Sequence, residues 1–236
     1  MSNDYFQFRQ FRVEQGSCAM KVTTDACIQG AWTPVLPHIR RGLDIGAGTG
    51  LLSLMLAQRN NDIEIDAIEI DAEAAEQAED NVVSSPWQER ISVFAGDVRG
   101  RIFRHKYDLI ISNPPFFNNS LLSNDAGKDM ARHTLHLSQE QLLTVLDDNL
   151  ASDGYASVML PPAEYGLWQT LAGDAGFFEA CRLSISHTAE APVKRIVGVF
   201  SKSEPTFVQE ESLIIMDGER YSQQFIDLLS PFYLDL

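Results

Sequence analysis

From residue 42 onward, short apolar runs alternate with longer segments whose apolar residues recur with a helical period. Apolar runs of this length predict buried strands, and the amphipathic segments predict helices between them. The predicted strands cover residues 42–45, 64–70, 91–94, 107–112 and 155–160, and the predicted helices cover residues 51–58, 71–83, 139–149 and 163–175. A closing pair of strands at 181–186 and 196–201, a short strand at 212–216 and a helix at 221–229 complete the pattern.

Strands that alternate with helices predict an α/β fold. We expect a Rossmann-like, mostly parallel sheet with helices on both faces and an antiparallel closing strand. A length of 236 residues favours a single domain. Residues 1–41 precede the sheet and are expected to form an N-terminal arm or cap on the domain of residues 42–236. Residues 117–133 are polar and lack a clear period, which predicts a loop beside the site.

The composition limits the location of the protein and the kind of partner it binds. The first residues lack the basic start and apolar run of a signal peptide, and no run of about 18 apolar residues predicts a membrane span. Three cysteines without metal-ligand spacing are typical of reduced thiols. These features predict a cytoplasmic protein without a membrane partner or a metal site.

The charge is unevenly distributed along the chain. A net charge of −15 opposes nucleic-acid binding, because phosphate groups require cations. A binding site needs only a local basic patch, however. Residues 99–106 contain four Lys and Arg residues, one histidine and no acid. A nucleic-acid partner therefore remains compatible with the overall charge.

Three alternating glycines, Gly46, Gly48 and Gly50, follow the first predicted strand. They allow a tight turn and a close approach of the backbone to a ligand. Their spacing is one residue shorter than the dinucleotide-binding fingerprint, which suits S-adenosylmethionine, a ligand without a pyrophosphate. Glu69 ends the second strand, 19 positions after Gly50, where an acid can accept hydrogen bonds from both ribose hydroxyls.

Three more residues are candidates for contact with this cofactor. Asp44 directly precedes the loop and can orient it or meet the cationic amino group. Asp97 follows the third strand and can accept a hydrogen bond from the adenine amino group. Thr24 can also reach the cofactor, although Thr24 and Asp25 by themselves look more like the N-terminal cap of a helix over residues 26–32.

The fourth predicted strand ends abruptly in Asn113-Pro114-Pro115-Phe116. Two prolines remove N–H donors and end the strand, which leaves the Asn113 side chain and the Pro114 carbonyl as acceptors. Two acceptors can hold both hydrogens of an NH2 group, whose nitrogen is a poor nucleophile because its lone pair is delocalised. Phe116 can stack on a planar target. Asn113, Pro114 and Phe116 are therefore the candidate catalytic residues for methylation of an exocyclic or amide nitrogen, and Asn113 also borders the cofactor.

Together these motifs resemble the Asn-Pro-Pro-aromatic group of class I S-adenosylmethionine-dependent methyltransferases. The whole pattern is similar to the bacterial tRNA (adenine-N6)-methyltransferases that act beside the anticodon of a valine tRNA. The similarity extends to residues 20–25, the Ala-Arg-His segment at 131–133 and the Lys194-Arg195 pair. Thr134 stands where the group often has an acid, so no role of that acid is carried over.

The resemblance implies a seven-stranded sheet, with cofactor contacts at Asp44, Gly46, Glu69 and Asp97 and base contacts at Asn113 and Phe116. It also implies a tRNA partner, and no obligate protein partner is inferred. An anticodon loop is single-stranded, so its adenine leaves the stack at a lower cost than in a duplex. The candidate phosphate contacts are Arg9, Arg12, Lys21, Arg99, Arg101, Arg104, Lys128, Arg132, Lys194 and Arg195.

Other functions also fit these motifs. Asn113 and Pro114 can hold the side-chain amide of a protein glutamine equally well. Glutamine methyltransferases usually carry a separate N-terminal helical domain, whereas 41 residues precede the predicted sheet here. A non-catalytic partner subunit that binds S-adenosylmethionine is disfavoured by the intact Asn-Pro-Pro-Phe motif, and a nucleotide-dependent dehydrogenase is disfavoured by the glycine spacing.

Overall fold

The computed structural model describes residues 4–18, 20–114 and 137–236. A small hairpin of β1 (Tyr5–Gln7) and β2 (Arg12–Glu14) is followed by helix α1 (Thr24–Trp32). The next elements up to the first long gap are β3 (Arg41–Ile45), α2 (Leu51–Arg59), β4 (Glu64–Glu69), α3 (Ala72–Val83), β5 (Ile91–Ala95) and β6 (Tyr107–Ser112).

The second half of the chain contains both helices and strands. It begins with α4 (Gln139–Asn149), β7 (Leu150–Leu160) and α5 (Pro162–Asp174). Three long strands follow, β8 (Phe178–Ser186), β9 (Val193–Ser201) and β10 (Gln209–Ile214). A second small hairpin of β11 (Met216–Asp217) and β12 (Arg220–Tyr221) leads into the last helix, α6 (Gln223–Leu229).

Eight of the described strands form one sheet in the order β10-β8-β9-β7-β6-β3-β4-β5. Among them only β9 runs antiparallel to its neighbours, β7 and β8. The predicted fold class is confirmed: a mostly parallel sheet with one antiparallel closing strand. The sheet has one strand more than the seven that the resemblance implied, because β10 pairs in parallel with β8 and extends the edge.

The predicted strands and helices between residues 42 and 112 lie within one residue of the observed bounds. α1 begins at Thr24 rather than at residue 26, and several later strands also begin earlier. β8, β9 and β10 start at residues 178, 193 and 209 rather than at 181, 196 and 212. β7 starts at Leu150 rather than at residue 155. Its early residues include Ser152 and Asp153, which are polar and exposed and therefore interrupt the apolar pattern. Tyr221 was predicted to begin the last helix but lies in β12. The helix begins later, because Ser222 caps it by accepting a hydrogen bond from Phe225 N.

The two faces of the sheet bury separate apolar layers. Along β6, Leu109 and Ile111 contribute to one layer, whereas Ile110 contributes to the other, as the two-residue period of a strand requires. The first layer includes residues of α1, α2 and α6, and the second includes residues of α4 and α5. The longest described helix is α5 with 13 residues, and none in these ranges is long and apolar enough to cross a membrane.

The N-terminal segment packs into the first of these layers. Phe8, Phe11 and Val13 are buried there, and the rings of Phe8 and Phe11 stack with centroids 4.5 Å apart. The backbone N–H of Arg9 donates to the carbonyl of Phe232 at 2.8 Å, which joins this segment to the C-terminal end of the chain. We therefore propose that residues 1–41 form a cap on a single domain that includes residues 42–236.

Candidate active site

The carboxyl ends of four neighbouring strands bring predicted site residues to one edge of the sheet. β6, β3, β4 and β5 lie side by side in this order. Along the edge, Asn113 follows β6, Gly46 follows β3, Glu69 ends β4 and Asp97 follows β5. The crevice beyond the carboxyl ends of parallel strands is the usual ligand site of open α/β sheets. These four residues therefore border a single crevice.

The glycine loop adopts a left-handed backbone conformation that favours glycine. Gly46, Gly48 and Gly50 have φ angles of +75°, +55° and +78°. A Cβ atom at Gly50 would make an ordinary contact of 3.5 Å with the Cβ of Ala78, so the positive φ, rather than a lack of space, favours glycine at this position. A Cβ atom at Gly46 would meet no described atom within 4 Å. The loop therefore leaves open space at Gly46, where a ligand can approach the backbone.

Glu69 connects the glycine loop to the start of α3. Its Oε2 atom accepts a hydrogen bond from the backbone N–H of Gly48 at 2.9 Å, and its Oε1 atom accepts one from that of Asp71 at 3.0 Å. The residue is only 9% exposed. Each carboxylate oxygen can accept a further hydrogen bond. Glu69 thus retains the capacity to bind two ribose hydroxyls, as the sequence-based prediction requires.

Asp44 is fully buried beneath the loop. Its Oδ2 atom accepts hydrogen bonds from the Ser53 backbone N–H at 3.1 Å and from the Ser53 hydroxyl at 2.7 Å. Its Oδ1 atom is buried without a hydrogen-bond partner among the described residues. Burial raises the pKa of Asp44 to about 7, the two hydrogen bonds from Ser53 oppose this rise, and the charge of Glu69 adds to it. A cationic ligand group near Oδ1 would favour the ionised carboxylate.

We expect Asp44→Asn to change how the stability of the protein depends on pH. The pKa of Asp44 is about 7 in the folded chain, compared with an ordinary value of 3.8. Between these values the folded chain binds more protons than the unfolded chain, so the contribution of Asp44 to the free energy of unfolding falls as pH rises. As pH rises from 3.8 to about 7, the free energy of unfolding of the variant should therefore fall by roughly 2–4 kcal/mol less than that of the wild type.

Urea unfolding between about pH 4.5 and pH 8 measures this difference. Asp62→Asn, which removes an exposed carboxylate, is the control and should follow the wild-type curve. If the curves of Asp44→Asn and the wild type run parallel, the folded protein does not hold Asp44 in its protonated form.

Asn113 lies at a backbone position that two hydrogen bonds define. The hydroxyl of Ser112 donates to the carbonyl of Ile45 at 2.9 Å, and Nε2 of Gln29 donates to the carbonyl of Ser112 at 3.1 Å. The Oδ1 atom of Asn113 is buried and has no hydrogen-bond partner in the described chain. An unsatisfied buried acceptor costs roughly 1–3 kcal/mol, so an N–H donor of a substrate would be favoured here. The predicted stacking residue, Phe116, lies outside the described residues.

Asp97 lies at the far end of the crevice and is paired with Arg99. The Nε and Nη2 atoms of Arg99 donate to Asp97 Oδ2 at 2.9 and 2.6 Å. Hydrogen bonding from Arg99 holds the pKa of Asp97 below its usual value. The pair offsets the charge of Arg99 and therefore weakens this predicted phosphate contact. The contact of Asp97 with adenine remains a prediction.

Most other predicted phosphate contacts have acidic, aromatic or carbonyl neighbours. Arg12 pairs with Glu14 at 2.7 Å, and Nε of Arg195 lies 3.4 Å from Asp25 Oδ2. The ion pair of Arg12 and Glu14 is exposed and contributes little to stability, so Arg12 can turn to another anion at low cost. The others are Arg9 on the carbonyl of Leu234, Lys21 at 3.9 Å from Asp4, Arg101 over the ring of Phe94, and the exposed Arg104 and Lys194. Lys128 and Arg132 lie outside the described residues.

Thr24 is the first residue of α1, and its neighbour Thr23 is the N-terminal cap. The Thr23 hydroxyl oxygen accepts a hydrogen bond from the backbone N–H of Ala26 at 3.2 Å. The capping alternative considered for Thr24 and Asp25 therefore applies to Thr23. Thr24 lines a cavity near the end of β8 and the start of β9. Its contact with the cofactor remains a prediction.

Three polar residues that the sequence-based reasoning missed support the site. Ser53 binds the buried carboxylate beneath the loop, and Gln29 fixes the end of β6. Asn81 of α3 joins the N-terminal arm to the glycine loop, because its Nδ2 atom donates to the carbonyls of Glu14 at 2.9 Å and Thr49 at 3.0 Å. Asn81 and Gln29 both lie on faces that are otherwise apolar, and this pattern could have identified them.

These features fit S-adenosylmethionine. The crevice offers open space at Gly46, and Glu69 can accept further hydrogen bonds. The Oδ1 atoms of Asp44 and Asn113 are buried acceptors without partners among the described residues. A set of acceptors suits a ligand that brings donors, such as an ammonium group, ribose hydroxyls and an adenine amino group. An anionic pyrophosphate would instead meet carboxylates of its own sign.

Comparison with known proteins places the chain in a family. The profile of the methyltransferase small domain matches residues 31–159. A tRNA1(Val) (adenine(37)-N6)-methyltransferase of Dyadobacter fermentans is 43% identical over 98% of this chain and 98% of its own length. The enzymes of that name from Photorhabdus laumondii and Yersinia pestis are 39% and 40% identical, over 99% and 98% of this chain and 97% and 94% of their own lengths. The chain belongs to this methyltransferase family. Its cofactor is S-adenosylmethionine, as the glycine loop predicted.

Solved structures support the same fold. A predicted O-methyltransferase from Agrobacterium tumefaciens matches 87% of this chain and 95% of its own with a TM-score of 0.67 and 19% identity. A putative RNA methyltransferase from Pyrococcus horikoshii matches 71% of this chain and 75% of its own with a TM-score of 0.51 and 21% identity. At such identities the likeness shows the fold alone. Family membership sets aside the dehydrogenase and identifies the chain as an enzyme rather than a non-catalytic subunit.

Proposed function

We propose that this enzyme transfers a methyl group from S-adenosylmethionine to N6 of adenosine 37 in tRNA1(Val). Similarity to the tRNA1(Val) enzymes over nearly the whole chain supports the choice of substrate. The observation on this chain that carries the proposal is the buried, unpartnered Oδ1 atom of Asn113 beside the glycine loop. The proposal requires no protein partner, and it agrees with the cytoplasmic location predicted from the sequence.

Asn113 and Pro114 position the amino group. The cofactor supplies a methyl group on a sulfonium, which is already an activated electrophile. The Asn113 Oδ1 atom and the Pro114 carbonyl accept the two N6 hydrogens and orient the nitrogen, an effect worth up to roughly 7–11 kcal/mol in favourable cases. The same acceptors stabilise the positive charge that develops on the nitrogen. The surplus proton can leave to water after transfer, so the reaction requires no strong general base.

The strand order separates a cofactor side from a substrate side. The glycine loop, Glu69 and Asp97 follow β3, β4 and β5, on one side of Asn113. β7, β9 and β8 lie on the other side. With the cofactor above β3–β5, the adenine approaches Asn113 from the side of β7 and β9.

Transfer of a labelled methyl group to a tRNA1(Val) transcript tests this proposal. We expect the wild-type enzyme to form N6-methyladenosine in this transcript and none in a transcript whose adenosine 37 is replaced by guanosine. Nucleoside mass analysis identifies the product, and total bacterial protein and DNA are incubated in parallel. Labelling of protein alone would favour a glutamine methyltransferase instead, and methylation of the guanosine-37 transcript would place the target at another adenosine.

A further inference from the structure

A cavity of about 380 Å³ lies at the same edge of the sheet as Asn113, on the substrate side. It is formed at the end of β8, the start of β9, the start of α1 and the β11–β12 hairpin. Because β9 runs antiparallel, its first residues lie level with the last residues of β8, and Arg195 pairs with Ile185. The polar lining consists of Thr24, Asp25, Ser186, His187, Lys194 and Tyr221.

The distance from Asn113 to this cavity suits a neighbouring nucleotide. Only β7 lies between β6 and β9, and two strand spacings amount to about 10 Å. Along α1, Asp25 precedes Gln29 by four residues, or about 6 Å, and Gln29 holds the end of β6. The cavity is therefore too far from Asn113 for the target base itself, but it is close enough for the nucleotide next to it.

Tyr221 provides an aromatic surface in the lining of the cavity. Its ring stacks on that of Phe225 with a centroid distance of 4.6 Å and an interplanar angle of 21°, and 41% of the residue remains exposed. This stacking holds the Tyr221 ring in one orientation. An exposed ring that is held in this way is a typical platform for an unstacked base of single-stranded RNA.

Basic side chains line the same cavity as this ring. Lys194 and His187 are exposed at the cavity, and the acid in the lining, Asp25, lies 3.4 Å from Nε of Arg195. The cavity therefore combines an available ammonium group with an aromatic face in a protein whose net charge is −15. Single-stranded nucleic acids are bound by this combination of cations and stacking rings. An acidic peptide would use the cations but would leave the ring without a role.

We propose that this cavity binds the anticodon-loop nucleotide adjacent to the target adenosine. The base stacks on Tyr221, and the phosphate binds Lys194. This assignment rests on the proposed tRNA function and adds to it a second contact point, which orients the loop so that the target base reaches Asn113. His187 can donate a hydrogen bond to the same nucleotide.

Steady-state kinetics with an anticodon stem-loop of tRNA1(Val) test this assignment. Tyr221→Ala should raise KM for the RNA by roughly 5- to 160-fold, because loss of base stacking costs about 1–3 kcal/mol per base. The rate at saturating RNA and the affinity for S-adenosylmethionine should stay close to the wild-type values. Tyr221→Phe preserves the ring and should recover most of the affinity lost in Tyr221→Ala.

Lys194→Ala provides an independent measurement at an exposed position. It should weaken RNA binding and reduce the slope of log affinity against log salt by about 0.7, the value for one phosphate of a single strand. Lys202→Ala is the matched control, because Lys202 follows the opposite end of β9 and pairs with Asp147 at 2.7 Å. Lys202→Ala should leave both KM and the salt slope unchanged.

Three outcomes separate the two proposals. If the wild type methylates the RNA but Tyr221→Ala and Lys194→Ala retain its KM, the cavity is not a nucleotide site and the proposed function stands. If Tyr221→Phe raises KM as much as Tyr221→Ala does, Tyr221 binds the RNA through a hydrogen bond of its hydroxyl, and the proposed stacking is wrong. If the wild type methylates no tRNA, the proposed function itself fails.

Discussion

Replacement of Asn113 by alanine should lower the rate of methyl transfer by roughly 10²–10³-fold, the effect of removing one preorganised group that stabilises transition-state charge. The Oδ1 atom of Asn113 is buried without a partner among the described residues, so it is available to a substrate N–H. Its removal leaves the glycine loop and Glu69 in place. The affinity for S-adenosylmethionine should therefore stay close to the wild-type value. Single-turnover kinetics and calorimetry measure the two quantities.

Asn113→Asp is the matched variant for this prediction. Aspartate preserves an acceptor oxygen at the same distance from the backbone, so it should restore part of the rate that alanine loses. A wild-type rate in Asn113→Ala would show that the side chain does not hold the amino group. If both variants bound the cofactor much more weakly than the wild type, Asn113 would belong to the cofactor site rather than to catalysis.

Glu69→Ala should weaken the affinity for S-adenosylmethionine by roughly 10²-fold or more, because hydrogen bonds to a charged group are worth about 1.5–3 kcal/mol each. The carboxylate accepts hydrogen bonds from the N–H groups of Gly48 and Asp71, and each oxygen has capacity for a further bond to a ribose hydroxyl. Its loss therefore removes direct contacts and loosens the loop. Isothermal calorimetry measures the affinity, and thermal unfolding without the cofactor reports any loss of folded protein.

Two further variants isolate the effect of Glu69. Glu76→Ala removes an exposed acid from α3 and should leave cofactor affinity unchanged. Glu69→Gln preserves one acceptor oxygen but introduces an NH2 group opposite a backbone donor, so its affinity should lie between those of the wild type and Glu69→Ala. Unchanged affinity in both Glu69 variants would exclude Glu69 from the cofactor site.

The location of Glu69 could be predicted because it depends on local pattern and on a general rule of topology. An apolar run that ends in an acid predicts a strand end, and parallel strands end at a common edge. The hydrogen bond from Gly48 to Glu69 could not be predicted, because it depends on how the glycine loop turns in space. The same holds for Asp44, whose raised pKa results from complete burial beneath that loop.

The substrate side of the site was harder to predict. Lys194 was a candidate from its charge, and Tyr221 was assigned to a helix rather than to the hairpin that forms a wall of the cavity. Thr24 reaches the same cavity from the start of α1. Residues 24, 194 and 221 are far apart in the chain, so no local pattern relates them.

The sequence by itself determined the class of fold, the glycine loop, the acid at the end of β4 and the Asn-Pro-Pro-Phe exit from β6. These features are local, because strand and helix periods, turn residues and the end of a strand depend on neighbouring residues. Only the tertiary structure decided that β10 extends the sheet, that Arg99 is paired with Asp97, and that Lys194 and Tyr221 share a cavity. The physical reason is that strand order and side-chain contacts depend on packing between segments distant in the chain, which a local pattern does not specify.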